Sequence, residues 1–352
     1  MHTSELGRLV REHRPGWTLA QPFYTDRDLF EIEVERFLGS QWMMAGHIAE
    51  IPNHGDYFIL EALGASVIIV RAANGEIHAL RRCGVAVFEG LILVSLMSER
   101  APDPVAMLEH TRPFWSRFEL AKAKPAAIRQ YRIQGNWKLG IENNLECYHC
   151  LPSHPEYTTT NAFVRADEQT SESVVESFAA YRESWETRMR AAMTQTGRSQ
   201  MITTAGQPCR AGTWPLAPGK LTGSRDGQGV APFLGKISAY DESVTTGCIG
   251  FLSYVGAMCD YAIAVTYLPQ SVDVTLVVMR WLINADAVEG RDYDVDNLCW
   301  LWDETTRQDK SLIELNAAGV GSRGYQPGPY SNLESMTQDF IDRYLKLMSE
   351  SA

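Results

Sequence analysis

Residues Glu142 to Glu156 (Glu-Asn-Asn-Leu-Glu-Cys-Tyr-His-Cys-Leu-Pro-Ser-His-Pro-Glu) hold the densest set of groups capable of chemistry in this chain. His149 and His154 stand five residues apart, with Glu142 and Glu146 just upstream. Pro152 is expected to stop the helix carrying His149 before it reaches His154, because proline cannot donate a backbone hydrogen bond and clashes with the preceding turn. One imidazole would then close a helix and the other sit on the following turn, so that both approach one ion from adjacent directions. Two neutral imidazoles and one carboxylate, with coordination positions left open, form the facial arrangement by which non-heme Fe(II) centres bind O2. The imidazoles are local; a carboxylate from elsewhere in the chain is required.

Residues Asp294 to Ala318 have helical periodicity, with Leu298, Leu301, Trp302, Thr305, Asp309, Leu312 and Ile313 on one stripe. Asp309 falls inside the apolar face, where an unpaired charge is costly. A nearby Arg or Ser could satisfy it, but two histidines still lacking an anionic ligand make it the first candidate. Asp303, read as projecting from the polar side, is the alternative. Glu146, one turn before His149 on the same face, is placed to accept the ring N–H and orient the imidazole. Cys147 and Cys150 form a C-x-x-C, half a zinc site, but no second pair of suitable spacing follows.

The 352 residues suffice for one large or two modest domains, and 45% hydrophobic content suits a globular chain. No run approaches the roughly 20 apolar residues that span a bilayer, and early Glu5, Arg8 and Arg11 leave no apolar signal region. A cytoplasmic protein without membrane association is expected. A net charge of −11 without clustered Lys and Arg argues against nucleic acid as a partner. The seven cysteines are odd in number and scattered, as expected of reduced thiols.

Ahead of the histidines, residues Asp26 to Gln41 read as an amphipathic helix after a Thr25 or Asp26 N-cap. Short apolar runs, Tyr57 to Leu60, Ser66 to Val70 and Ile77 to Leu80, predict a small antiparallel β unit with a hairpin at Asn74-Gly75. After Pro102 and Pro104 a helix ending near Arg112-Pro113 is expected, followed by a second short helical piece. Residues 165 to 235 are the least informative: a polar helix over Ser171 to Met193, then a Gly/Pro/Thr-rich loop that covers an active site or is disordered. Cys248 to Val255, Tyr261 to Leu268 and Val274 to Ile283 predict a β meander.

The stretch QWMMAGHIAEIPNHGDYFIL, followed by VIIVRAANGEIHALRRC, resembles the opening strands of the Rieske domain in Rieske-type non-heme iron oxygenases. The NWK, EN, E, YH and H positions from Asn136 to His154 resemble the start of that family's catalytic domain. Asp309 and Glu314 reproduce its D-x-x-x-x-E pattern. The run Ser322-Arg323-Gly324-Tyr325-Gln326-Pro327-Gly328-Pro329-Tyr330-Ser331 is similar to the tail of the branch that oxidises glycine betaine, carnitine and choline. In the family the opening strands lead to two Cys and two His that ligate a [2Fe–2S] cluster. Here Gly84 to Leu96 resembles the last strand of that domain, the segment bearing the second ligand pair is missing, and Val85 stands where the first cluster histidine would be.

The resemblance implies an α+β fold: a helix-grip (START/Bet v1-like) catalytic domain over 98–352, its antiparallel sheet curved round the Asp309 helix. It further implies a truncated Rieske-like β remnant over 42–97 and an N-terminal helical segment, 1–41, packed on the catalytic domain. The implied ligands of Fe(2+) are His149, His154 and Asp309, with Glu146 and Asn143 as catalytic residues and no [2Fe–2S] cluster in this chain. In the family the acid matching Glu146 bridges to a cluster histidine of the neighbouring subunit, and Asn143 and Tyr148 match positions near the iron. Electrons would therefore come from an external Rieske- or ferredoxin-type protein, O2 and a small N-methyl or methylammonium compound being the substrates, with hydroxylation or N-demethylation the outcome. Trp281, Trp302 and Tyr254 are candidates for an aromatic pocket suited to a methylated cation. A homo- or hetero-oligomer is expected, trimers being usual in the family. The alternatives are a Rieske-independent iron oxidase or peroxygenase, and a non-catalytic subunit paired with an intact oxygenase.

Overall fold

The computed structural model describes residues 3–161, 172–192, 194–204 and 206–350. Asp26 caps the first helix that bears on the site, Arg27–Arg36, its side chain accepting from Leu29 N at 2.9 Å. Six short strands follow: β1 (Met43–His47), β2 (Tyr57–Ala62), β3 (Ala65–Arg71), β4 (Ile77–Ala79), β5 (Gly84–Phe88) and β6 (Leu91–Ser95). They form two antiparallel three-stranded sheets, β2-β3-β4 and β1-β6-β5. The Asn74-Gly75 hairpin is present, Gly75 taking φ 84°.

Two features of this unit were not foreseen. The run from Gly84 to Leu96 is a hairpin and not one strand, because Glu89 (φ 50°) and Gly90 (φ 83°) both take the left-handed conformation of a tight reversal. Gly90 is also needed for space, since a Cβ there would lie 2.6 Å from both Ala121 Cα and His47 Nε2. The β1-β6-β5 sheet is tied to the larger sheet described next by Met44 N donating to Ser253 Oγ (2.9 Å), Thr266 Oγ1 donating to Met44 O (2.8 Å) and Arg280 Nη2 donating to Ala45 O (2.6 Å).

The larger sheet contains β7 (Ala123–Ile133), β8 (Gly197–Arg198), β9 (Ile202–Thr204), β10 (Gln207–Pro215), β11 (Ser243–Ile249), β12 (Ser253–Ala257), β13 (Tyr261–Ser271) and β14 (Val274–Asn284). Its order is β7-β14-β13-β12-β11-β10-β8, with β9 also on β10, and every described pairing is antiparallel. β13 and β14 are buried along almost their whole length, which is why they read as continuous apolar runs and not as alternating ones. The expected single run Cys248 to Val255 is broken by a turn at Gly250 (φ 61°). Within residues 165 to 235 a helix spans Glu172–Ala191, Ser171 and Met193 lying outside the described residues. β8, β9 and β10 replace part of the expected loop; β10 carries Pro208 and Gly212, which weaken its local strand signal, and is held by neighbours on both edges. The helical stretch expected to end near Arg112-Pro113 runs over Pro104–Leu108 and Glu109–Thr111, and the second short helical piece is Arg112–Trp115, with the proline in its first turn where a missing N–H costs nothing.

Two helices carry the residues that meet the histidines, and a third packs on the first of them. Trp137–Leu145 begins at Asn136, whose side chain accepts from Lys138 N. Val295–Val320 begins at Asp294, whose side chain accepts from Asn297 N, and it packs on β7 and on the Trp137–Leu145 helix. Ser335–Glu350 closes the chain. Around Trp137, Phe37 stacks at 5.6 Å, and Phe340 and Tyr344 meet the indole edge-on at 5.9 and 6.2 Å. Within this aromatic layer Lys138 and Glu33, both fully buried, form an ion pair at 2.5 Å. Glu33 also accepts from Trp137 Nε1 (2.9 Å) and Tyr344 OH (2.5 Å), so the carboxylate is fully engaged.

Candidate metal centre

The helix that starts at Trp137 ends at Leu145, earlier than expected. Glu146 is already extended (φ −115°, ψ 168°), and His149 precedes a one-turn helix, Cys150–Ser153, that contains Pro152. His154 lies at the junction to the next helix, Pro155–Thr160. His149 is therefore not carried on the preceding helix. The chain folds back between Leu145 and Cys150, which brings Glu146 onto the ring all the same: Glu146 Oε1 lies 2.5 Å from His149 Nδ1.

The two imidazoles turn their other nitrogens toward each other. His149 Nε2 and His154 Nε2 are 3.1 Å apart, and Asp309 Oδ1 of the Val295–Val320 helix lies 3.0 Å from His154 Nε2 and 3.3 Å from His149 Nε2. Ligand bonds of about 2.1 Å set donor atoms about 3.0 Å apart at right angles and about 3.4 Å apart at a tetrahedral angle, so all three fit one ion. Gln308 Oε1 lies 2.7 Å from His154 Nδ1, as Glu146 does for His149. An acceptor at each Nδ1 holds the proton there and frees each Nε2 for a metal, an arrangement common to ligating histidines. Sequence reasoning missed Gln308, although its place beside Asp309 on the same helix was the available signal.

Charge is arranged to match. Burial alone would lower His149, but hydrogen bonds and charges from Asp309 and Glu146 outweigh it and hold the imidazole up at about 9. His154 is raised in the same way, burial opposing and Asp309 and Gln308 prevailing. Burial would raise Asp309, and the two histidines hold it below the usual carboxylate range. In the metal-free protein this contribution to stability is complete below the ordinary histidine value of about 6.5 and is lost as pH rises through about 9. A metal needs both imidazoles neutral. Apparent affinity for Fe(II) should therefore rise with pH through the neutral range and level off above about 9, with at least one proton released per ion at pH 7. Calorimetric titration in buffers of different ionisation enthalpy measures this, and proton-neutral binding would contradict it.

The remaining candidates separate clearly. Asp303 does not project from a polar face: it is buried, paired with Arg129 and Arg307 (2.8 Å each) and bonded to Tyr131 OH (2.5 Å). Asn143 Nδ2 lies 3.5 Å from His149 Nε2, whereas the Tyr148 ring is substantially exposed. Glu142 accepts from Tyr24 OH (2.8 Å) and Tyr330 OH (3.3 Å) and is pushed up to about 7 chiefly by burial. Tyr330 belongs to the tail run, which pairs with the N-terminal segment through Thr18 N to Gly328 O and Tyr330 N to Gly16 O, both 2.8 Å. Glu142, Asn143, Glu146, His149 and Tyr330 share a cleft of about 390 Å³.

A second cavity, of about 200 Å³, is lined by Asn144, Leu145, Arg210, Trp214, Phe251, Tyr254 and Phe340 among others. Of the three aromatic candidates only Tyr254 lines it. Trp302 is taken up by an edge contact to Tyr157 at 5.6 Å and a hydrogen bond to Tyr261 OH, and Trp281 is fully buried beneath Arg129. The cysteine expectation also changes: Cys147 and Cys150 are joined in a disulfide, their Cα atoms 5.0 Å apart and within bridging range.

Residues 120–223 and 253–350 match the family described as "Ring hydroxylating alpha subunit (catalytic domain)". The chain is 31% identical to the glycine betaine monooxygenase oxygenase subunit of Pseudomonas aeruginosa (strain UCBPP-PA14) over 409 aligned positions, 97% of this chain and 91% of the relative. It is 24% identical to the carnitine monooxygenase oxygenase subunit of Escherichia coli (strain K12), over 41% of this chain and 54% of that one. Among solved structures, a quaternary ammonium Rieske monooxygenase, reported with insights into carnitine oxidation and inter-subunit electron transfer, superposes with a TM-score of 0.66 over 97% of both chains at 14% identity.

Proposed function

This chain belongs to the ring-hydroxylating alpha-subunit family, and from that membership we propose that it is a non-heme iron monooxygenase hydroxylating an N-methyl carbon of a small methylated ammonium compound. The observation that carries the reading is the convergence of His149 Nε2, His154 Nε2 and Asp309 Oδ1 at 3.0 to 3.3 Å, with each histidine's Nδ1 held by an acceptor. Fe(II) held by these three residues supplies O2 activation. Hydroxylating an N-methyl carbon gives an N-hydroxymethyl ammonium compound whose C–N bond then breaks, the electron pair staying on the amine, the carbon leaving as formaldehyde and the hydroxyl proton going to solvent, while two electrons and two protons reduce the second oxygen atom to water.

Those two electrons come from a separate Rieske- or ferredoxin-type protein, because the chain has no [2Fe–2S] cluster of its own. Supporting this, only Leu80 to Cys83 join β4 to β5, too few residues for two ligand pairs, and the 409 aligned positions exceed the chain's 352 residues, so the relative carries residues with no counterpart here. Segment 42–97 is then a truncated Rieske remnant, 98–352 a helix-grip catalytic domain and 1–41 a segment packed upon it. Glu146, half-buried and bonded to His149, is where the donor's electrons arrive, and Asn143 borders the ion. The cavity with Tyr254 and Phe251 suits a methylated cation through ring faces, the Trp214 ring being taken by Arg182 and Arg198, and Arg210, whose guanidinium meets Met336 Sδ at 3.5 Å, lines the same cavity and would take a carboxylate on the same molecule. Relatives named for glycine betaine and carnitine favour such a zwitterion.

The test is turnover of the Fe(II)-loaded protein with O2 and glycine betaine, with and without a reduced ferredoxin-type donor, scored by formaldehyde. Product is expected only with the donor. Glu146→Gln should keep its iron yet lose roughly 10- to 100-fold in donor-driven rate, as expected for a partner of a ligating histidine. Full-rate product without any donor would sink the electron-transfer assignment, and no formaldehyde from any methylammonium compound would sink the substrate class.

A further inference from the structure

The Cys147–Cys150 disulfide brackets His149, and the cysteine on its inner side faces the metal centre. Cys150 Sγ lies 3.9 Å from His149 Nε2, and the donor atoms of His149, Cys150 and His154 all lie within 4.8 Å of one another. Cys150 is buried, whereas Cys147 is half-buried. A sulfur bonded to another sulfur is not a thiolate, and the thiolate is the form that binds metals. In the disulfide form, therefore, the centre offers two imidazoles and the Asp309 carboxylate, and the nearest sulfur takes no part.

We infer that Cys147 and Cys150 form a redox gate on the metal centre: reduction delivers the Cys150 thiolate to the ion held by His149 and His154, and the reverse exchange with a disulfide, which takes up the two electrons as two thiols, withdraws it and restores the nitrogen-and-oxygen ligand set. This rests on the assignment of His149 and His154 as ligands. The reductant is a dithiol. Its thiolate attacks Cys147, the more accessible sulfur, and the protein S–S bond breaks with its electron pair leaving on Cys150. The second sulfur of the reductant then displaces Cys147, closing a cyclic disulfide. Two electrons pass to the protein; of the dithiol's two protons one ends on Cys147 and the other in solvent. The consequence is a change of metal preference, because a thiolate donor favours zinc over the iron that imidazole and carboxylate ligands suit.

Co(II), which reports its ligands by absorption, tests the gate without any need for turnover. Air-oxidised protein should show five reactive thiols when unfolded, and seven after treatment with a dithiol. With the reductant removed under nitrogen, Co(II) should give a thiolate-to-cobalt charge-transfer band in the reduced protein and none in the oxidised protein. Cys150→Ser should lose the band in both states, while Cys147→Ser, whose Cys150 is always free, should show it without reductant. Circular dichroism establishes that each variant is folded. Seven thiols in the oxidised protein, or a cobalt spectrum that is the same in both redox states, overturns the gate while leaving the metal site in place. Failure of both states to bind Co(II) overturns the ligand assignment and the gate together.

Discussion

Asp309→Ala is expected to cost more than about 100-fold in Fe(II) affinity and to abolish turnover, a larger loss than removing an outer partner such as Glu146 or Gln308 produces. The reason is geometric and electrostatic. Asp309 is the anionic donor that meets both Nε2 atoms, at 3.0 and 3.3 Å, and it is the group that holds the two imidazoles and their charge in one place. Without it two neutral imidazoles remain, and a hard divalent ion loses its carboxylate. Asp303→Ala is the control, because that carboxylate, on the same helix as Asp309, is spent on Arg307 of that helix and on Arg129 and Tyr131 of β7; it should lower stability and leave iron content unchanged. Metal analysis of the two variants separates the assignments, and retention of iron by Asp309→Ala with loss from Asp303→Ala would reverse them.

The largest effect on stability is expected away from the metal. Glu33→Leu leaves Lys138 buried and charged among the rings of Trp137, Tyr344 and Tyr24 with its carboxylate removed. Breaking one side of such a pair costs about 3–5 kcal/mol, while replacing both sides with apolar groups of similar volume is often neutral. Glu33→Leu combined with Lys138→Met should therefore recover most of the loss in a denaturant titration. A double variant as unstable as the single one would mean that the aromatic layer depends on the charges themselves. The pair matters to function because Lys138 is the second residue of the helix that leads into Asn143 and Glu146, so loosening it would also be felt at His149.

The three side chains that converge at the candidate centre were legible from the sequence because each signal was chemical: two histidines at an unusual spacing and one carboxylate inside an apolar stripe. Asp294, Asp309 and the long helix follow the 3.6-residue period, and β13 and β14 were legible as long β-branched runs. What was not legible depends on partners distant in the chain. Asp303 looked solvent-facing until β7 brought Arg129 and Tyr131 against it. β10 looked like a loop because its proline and glycine are tolerated only through pairing with β9 and β11. The end of the helix at Leu145 escaped because the turn from Glu146 to His149 is shaped by the His149–Glu146 bond and the Cys147–Cys150 link, neither of which periodicity reports. Tyr330 was visible only as part of a tail motif, and its bond to Glu142 shows why that tail belongs near the centre.

The most direct test of the central claim is metal and sulfide analysis of the purified protein together with its visible spectrum. The predicted result is about one iron per chain, no acid-labile sulfide and no Rieske absorption, with the iron lost in Asp309→Ala. Zinc in place of iron, or iron accompanied by sulfide, would contradict a cluster-free mononuclear iron centre built from His149, His154 and Asp309.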